Sequence, residues 1–337
     1  MKPATENIFS ISNDSQFKHK TLEIFHYQAK DCEVYNRYIN TLKIDIDKVS
    51  EIDQIPFLPI EFFKTHTILS STKNSNSELV TFTSSGTTHD NPSCHYVKEV
   101  SIYEKSYLKC FELFYGNIKE YTIFALLPSY LERNGSSLIH MVNDLIDKSE
   151  SELSKFYLND TEELIKSLMT TEEVHGQFKN ENKKNILIGV TYALLDLVEK
   201  YEFSLKNTII METGGMKGKR KELVKQELHF ILKSRFGVSE IHSEYGMTEL
   251  LSQAYSKGNG LFVCPPWMKV LIRDINDPLS ILPCLKTGGI NVIDLANIHS
   301  CSFIATQDLG IIYEDGSFEV IGRFDNSDIR GCNLLVS

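Results

Sequence analysis

Apolar and polar positions alternate in a way that changes three times along the chain. Over residues 16–48, aromatic and charged residues recur at near-helical spacing, which predicts helices. The segment IPFLPIEFFKTH (55–66) holds prolines at 56 and 59. These exclude a regular helix through those positions and predict an extended or turning connector whose apolar residues line the core. From residue 121 the texture becomes regular. YTIFALL (121–127), KNILIGV (184–190), NTIIMET (207–213) and VSEIHS (238–243) read as strands. SSLIHMVNDLI (136–146), YALLDLVEKY (192–201) and 217–236 read as helices, the last with Leu223, Leu228, Ile231 and Leu232 near one face. Strand–helix alternation predicts an α/β core with a largely parallel sheet. From 261 onward, short β-like pieces split by Gly, Pro and Asp-Gly predict antiparallel β, with the sharpest hairpin signal at Asp315-Gly316. The expected division is an α/β core over 1–260 and a β-rich subdomain over 261–337.

Composition narrows the function classes. The 337 residues are 42% hydrophobic and 24% charged, ordinary values for a soluble protein with more than one core. No apolar run reaches the roughly 18 residues of a membrane span, and the first residues lack a signal-peptide core, so a cytoplasmic location is expected. A net charge of -10 without a basic stripe argues against nucleic acid as a partner. Seven cysteines, odd in number, scattered and without a CxxC pair, argue against a disulfide framework or structural zinc and point to reduced thiols.

The candidate chemistry begins at TFTSSGTT (81–88), a hydroxyl- and glycine-rich loop after an apolar step. Such a loop wraps phosphate with main-chain N–H groups and hydroxyls, or is simply a solvated loop; it lacks the GxxxxGK[ST] spacing of a Walker A motif. Downstream, HSEYGMTEL (242–250) pairs a hydroxyl with a carboxylate suited to Mg2+. ATQDLG (305–310) supplies an aspartate able to take two ribose hydroxyls, and GRFDNSDIRG (322–331) supplies an arginine beside a turn.

In that order these motifs resemble the adenylate-forming superfamily, which includes acyl-CoA and phenylacetate-CoA ligases. IPFLPIEFFKTH, LLPSYLERNGSSLIHMV, METGGMKG and DIRGCNLLVS resemble, more narrowly, the acyl-protein synthetases of LuxE type. The resemblance runs from about residue 50 to the end. It implies an adenylate-forming N-terminal-domain-like fold, parallel sheet layers with helices plus a C-terminal antiparallel subdomain, without the small C-terminal lid domain. Twelve residues follow Asp325, where most of the superfamily carries that lid and its catalytic lysine. The usual phosphate-loop lysine is also missing from His89-Asp90-Asn91-Pro92-Ser93.

The resemblance further implies ATP and Mg2+ as cofactors, a carboxylic acid as substrate and an acyl reductase as partner. Nucleotide contacts fall on Thr83, Ser84, Ser85, Gly86, Thr87, Thr88, Gly214, Gly215, Glu244, Tyr245, Gly246, Asp308 and Arg323. Thr248 would touch the α-phosphate, Glu249 would hold the metal, and Cys332 would accept the acyl group as a thioester. Lys217 and Lys219 are candidates to replace the missing lysine, or are ordinary helix-start lysines; His242 is a candidate base for the thiol, or a structural histidine. Two other functions remain: an acyl- or aryl-CoA ligase that does not need Cys332, and a nucleotide-binding subunit without chemistry.

Overall fold

A computed structural model describes residues 3, 5, 7–70, 79–84, 91–127, 135–157, 160–174, 183–214 and 223–324. The N-terminal part is helical: α1 (Asp14–Asp31) and α2 (Glu33–Thr41) are separated by a break at Cys32. α1 starts where Asn13 accepts a hydrogen bond from the Gln16 N–H, satisfying one of the free donors of the first turn. The proline-bearing connector then forms the two-residue strand β1 (Leu58–Pro59) and the one-turn helix α3 (Phe62–Thr65). Ile55, Phe57, Leu58 and Phe63 are buried, as its apolar pattern predicts. A hairpin of β2 (Val80–Thr83) and β3 (Cys94–Val97) flanks the hydroxyl-rich loop, and α4 (Val100–Tyr115) follows.

The central layer is built from β4 (Tyr121–Leu126), α5 (Ser137–Ser149), β5 (Lys155–Phe156), α6 (Thr161–Val174), β6 (Lys184–Val190), α7 (Thr191–Lys200), β7 (Thr208–Thr213), α8 (Lys225–Phe236), β8 (Ile241–Tyr245) and β9 (Ala254–Ser256). The strands lie in the order β5-β4-β6-β7-β8-β9, parallel except for β9. β4 is buried at every position and β6 at all but its first, the near-continuous apolar pattern of strands covered on both faces. One expectation is corrected here: α8 begins at Lys225, so Leu223 and Val224 precede the helix, and Leu228 and Leu232 carry the buried face. Gly237 ends α8 at φ +69, where a Cβ would come within 2.9 Å of the Phe203 carbonyl oxygen.

The last part of the chain forms β10 (Met268–Arg273), β11 (Thr287–Asp294), β12 (Phe303–Ile312) and β13 (Phe318–Arg323), an antiparallel sheet in the order β10-β11-β12, with β13 also on β12. β1 joins it in parallel against Ile304 and Ala305. The β12–β13 connection turns at Gly316, φ +82. Bridges Tyr255–Val263 and Phe262–Phe318 tie this sheet to the end of the central one. Parallel strands β4, β6, β7 and β8 all point their carboxyl ends the same way, and ligands of α/β proteins bind outside those ends.

Candidate active site

The base of the phosphate loop is closed by two serines. Ser84 N–H donates to the Ser93 carbonyl at 3.0 Å, and Ser93 N–H donates to Ser84 Oγ at 2.9 Å. Thr83 N–H donates to the Gly135 carbonyl at 2.7 Å; Gly135, at φ +93, sits so near β2 that a Cβ would be 3.2 Å from the Thr81 carbonyl oxygen. Ser85, Gly86, Thr87 and Thr88 lie outside the described residues, as do Gly215, Lys217, Lys219 and Cys332.

Beyond β8 the chain makes a turn, with Leu250 N–H donating to the Met247 carbonyl at 3.1 Å. Four contacts pin this turn and the residues after it. His95 Nδ1 donates to the Thr248 carbonyl at 2.8 Å, and Asn297 Nδ2 donates to the Glu249 carbonyl at 2.8 Å. Asp294 accepts from Leu251 N–H at 2.7 Å and from Ser252 Oγ at 2.6 Å. The Glu249 side chain is buried. Burial pushes its pKa up, while a hydrogen bond from Ser93 and the charges of Arg323 and Lys64 pull it back. Ser93 thus closes the loop base through its backbone and also favours the ionised form of Glu249.

A second group is centred on Asp308. Tyr245 Oη donates to its Oδ2 at 2.8 Å, and Arg323 Nε donates to its Oδ1 at 2.9 Å. Asp308 and Arg323 are cross-strand partners on β12 and β13. The Tyr245 ring packs against Phe262 and Phe318, centroids 5.7 and 5.5 Å away. Replacing Asp308 with Ala leaves the buried Tyr245 hydroxyl without its acceptor, so melting should report a loss of about 1–3 kcal/mol; an unchanged melting temperature would show the bond to be dispensable.

The ends of β7 and β8 carry two carboxylates that sequence reading did not connect. Glu212 is buried. Burial pushes its pKa up, but Lys225 at 3.1 Å, His229 and the Ser243 hydroxyl more than reverse this and hold it at about 2. Glu244, also buried, accepts from Thr213 Oγ1 at 2.6 Å. Burial first, and then the neighbouring Glu212 charge, raise it to about 7. Its carboxyl lies over Gly246, whose missing Cβ makes the room, and Gly214 leaves β7 at φ +71. Because the folded pKa lies above the unfolded one, stability linked to Glu244 is complete below about pH 4.5 and lost as pH rises through about 7. Glu244→Gln should therefore gain about 3 kcal/mol over the wild type by pH 8.5, about 4 °C in melting temperature for a chain this long. The gain should shrink toward pH 5; a pH-independent difference would contradict the assignment.

His242 belongs to neither group. Its Nδ1 pairs with Tyr115 Oη at 3.1 Å, and burial, with Lys257 nearby, lowers its pKa to about 4. Sequence reading missed Ser93, His95, Asn297, Asp294 and Lys64; each is an ordinary residue in its local pattern, and only the fold brings it to the motifs.

Comparisons with known proteins bear on the family and the fold. The family described as "Acyl-protein synthetase, LuxE" matches residues 7–337. The long-chain-fatty-acid–luciferin-component ligase of Photorhabdus luminescens is 39% identical over 70 residues, 21% of this chain and 58% of that protein. An open conformation of 2-hydroxyisobutyryl-CoA ligase in complex with 2-HIB-AMP and CoA superposes with a TM-score of 0.69 at 11% identity, covering 93% of this chain and 70% of that one. ATP-bound MatB from Rhodopseudomonas palustris gives 0.52 at 14% identity, covering 75% and 50%. At such identities the likeness is one of fold, and that fold is the one found in these ligases. With the motifs in order and nearly the full length matched, the chain belongs to the LuxE acyl-protein synthetase family.

Proposed function

We propose that this protein activates a carboxylic acid with ATP as an acyl-adenylate, carries the acyl group as a thioester on Cys332, and passes it to an acyl reductase partner. The observation that carries the reading is the coupling of the motifs: Asp308 joins Tyr245 to Arg323, and Ser93, which closes the loop base, favours the charge on Glu249. The Photorhabdus relative is named for long-chain fatty acids, which makes them the first acids to test.

In the first step a carboxylate oxygen attacks the α-phosphorus of ATP, the bond to the β-phosphate bridging oxygen breaks, and pyrophosphate leaves. In the second, the Cys332 thiolate attacks the acyl carbon, the bond to AMP breaks, and AMP leaves. Catalysis here is mostly positioning and charge stabilisation. The loop after Ser84 would hold the β- and γ-phosphates, Thr248 the α-phosphate, and Asp308 the ribose hydroxyls. Ribose would replace a partner that Asp308 already has, and the more exposed Arg323 is the one free to move.

Glu249 suits Mg2+: it is a hard oxygen donor whose charge is disfavoured by burial, a cost a cation offsets. Mg2+ is typically held by one or two carboxylates together with substrate phosphates. Among the described residues no cluster of three metal-ligating side chains occurs, so Glu249 would act with phosphate oxygens. When bound, the ion neutralises charge on the departing pyrophosphate. No helix among the described residues is long and apolar enough to cross a membrane.

The test is intact-mass analysis of the protein incubated with Mg·ATP and a panel of fatty and aryl acids, alongside ATP–pyrophosphate exchange. The expected result is acid-dependent exchange and an acyl adduct released by hydroxylamine. CoA-dependent AMP formation without an adduct would replace this reading with a CoA ligase. Nucleotide binding without exchange would replace it with a silent nucleotide-binding subunit.

A further inference from the structure

One residue outside every motif touches the Thr248-Glu249 turn directly. His95 lies on β3, opposite Phe82 of β2, and is 1% exposed. Its ring meets Phe63 edge-on at 5.6 Å, and its Nδ1 is 2.8 Å from the Thr248 carbonyl oxygen. A carbonyl only accepts, so Nδ1 carries the proton. Two residues earlier, Ser93 makes both contacts with Ser84 through its backbone and favours the charge on Glu249. The three-residue segment 93–95 therefore links the base of the loop, through Ser93, to the turn, through His95. The link comes from the strand on which the phosphate loop ends.

We propose that His95 is a positioning residue for adenylation: its Nδ1–H fixes the Thr248 peptide, and so sets the direction in which the Glu249 carboxylate meets the metal. This rests on the reading of Glu249 given above. Without the bond, the Thr248 peptide loses a side-chain donor, leaving the Asn297 bond to the next carbonyl, and the direction of the Glu249 carboxylate is less tightly set. Burial lowers the ring's pKa to about 4, so it stays neutral, with one fixed tautomer, at working pH. Groups that orient a metal ligand from behind typically matter by about 10–100-fold in metal affinity or activity.

The test compares His95→Leu, His95→Asn and His95→Gln. Asparagine places an amide nitrogen where Nδ1 stands; glutamine places it one bond further out. Two quantities are read: the Mg2+ concentration giving half-maximal ATP–pyrophosphate exchange, and the difference in ATP affinity by calorimetry with Mg2+ and with EDTA. His95→Leu and His95→Gln should need about tenfold more Mg2+ and lose most of the Mg2+-dependent affinity, while His95→Asn stays within about threefold of wild type. A leucine variant with wild-type Mg2+ dependence overturns the proposal. If leucine prevents folding, as seen by circular dichroism, the pair of amide variants decides: equal Mg2+ dependence in both overturns it. Wild-type protein that binds Mg·ATP but never exchanges refutes adenylation alone, and the calorimetry still tests His95. Wild-type protein that binds no ATP refutes both.

Discussion

Cys332→Ala is expected to abolish the ATP-dependent acyl adduct, while ATP–pyrophosphate exchange stays within about twofold of wild type. In the proposed mechanism the two half-reactions use different groups, so loss of the thiol would stop transfer and leave activation intact. Four of the six described cysteines make poor substitutes. Cys32, Cys110 and Cys301 are fully buried, and burial pushes their thiols up in pKa, well above the usual range for Cys110 and Cys301. Cys264 is driven by burial to about 12. The thiolate is the nucleophile, so such groups hold a negligible reactive fraction at pH 8. Cys94 is half-buried and Cys284 exposed, and their serine variants are the controls. An adduct that survives Cys332→Ala and disappears with either control would move the acceptor elsewhere and overturn the carrier role.

Glu249→Gln should lower pyrophosphate exchange by at least about 100-fold at saturating ATP, the usual scale for removing one electrostatic stabiliser from a reaction centre. Glutamine has the same length and keeps an oxygen acceptor at the same position. The turn's backbone contacts to His95 and Asn297 do not involve the side chain. The loss would thus be one of charge. Stability should move the other way. Burial sets the folded pKa of Glu249 above its unfolded value, so the wild-type contribution is complete in acid and lost as pH rises through the folded pKa. The neutral variant escapes that loss and should melt at or above the wild-type temperature at pH 8, with the difference vanishing below the unfolded pKa. Exchange within about threefold of wild type would remove Glu249 from the metal's reach. A large drop in melting temperature would make the lost rate a folding effect.

The repeating burial pattern made most of the architecture legible. β4, β6 and β7 lie within a residue or two of their apolar runs, and Asp315-Gly316 marks the β12–β13 turn. Near-continuous apolar runs bounded by polar residues encode these strands because both faces of the central sheet are covered. The start of α8 was less legible, because apolar spacing continues through Leu223 while the helix begins at Lys225. The connector at 55–66 announced its prolines but not its destination: only the fold puts Leu58 beside Ile304 in the C-terminal sheet.

For the site, the sequence by itself determined which residue types are present and in what order, and with them the family. Tertiary structure alone decided who meets whom. His95 and Thr248 are 153 positions apart, and Tyr245 and Asp308 are 63 apart. Motifs mark Thr248, Tyr245 and Asp308 as candidates, but nothing in the chain around them says that they meet these partners, and nothing around His95 marks it at all. Such pairings follow from how two sheets and a hairpin pack, and their strength follows from the burial that packing creates. The same burial shifts Glu244 and Glu249 upward while Lys225 and His229 hold Glu212 ionised. Three glutamates that read alike in the sequence differ because the folded chain withholds water from all three but sets cations strongly against Glu212, more weakly against Glu249, and puts the Glu212 charge beside Glu244.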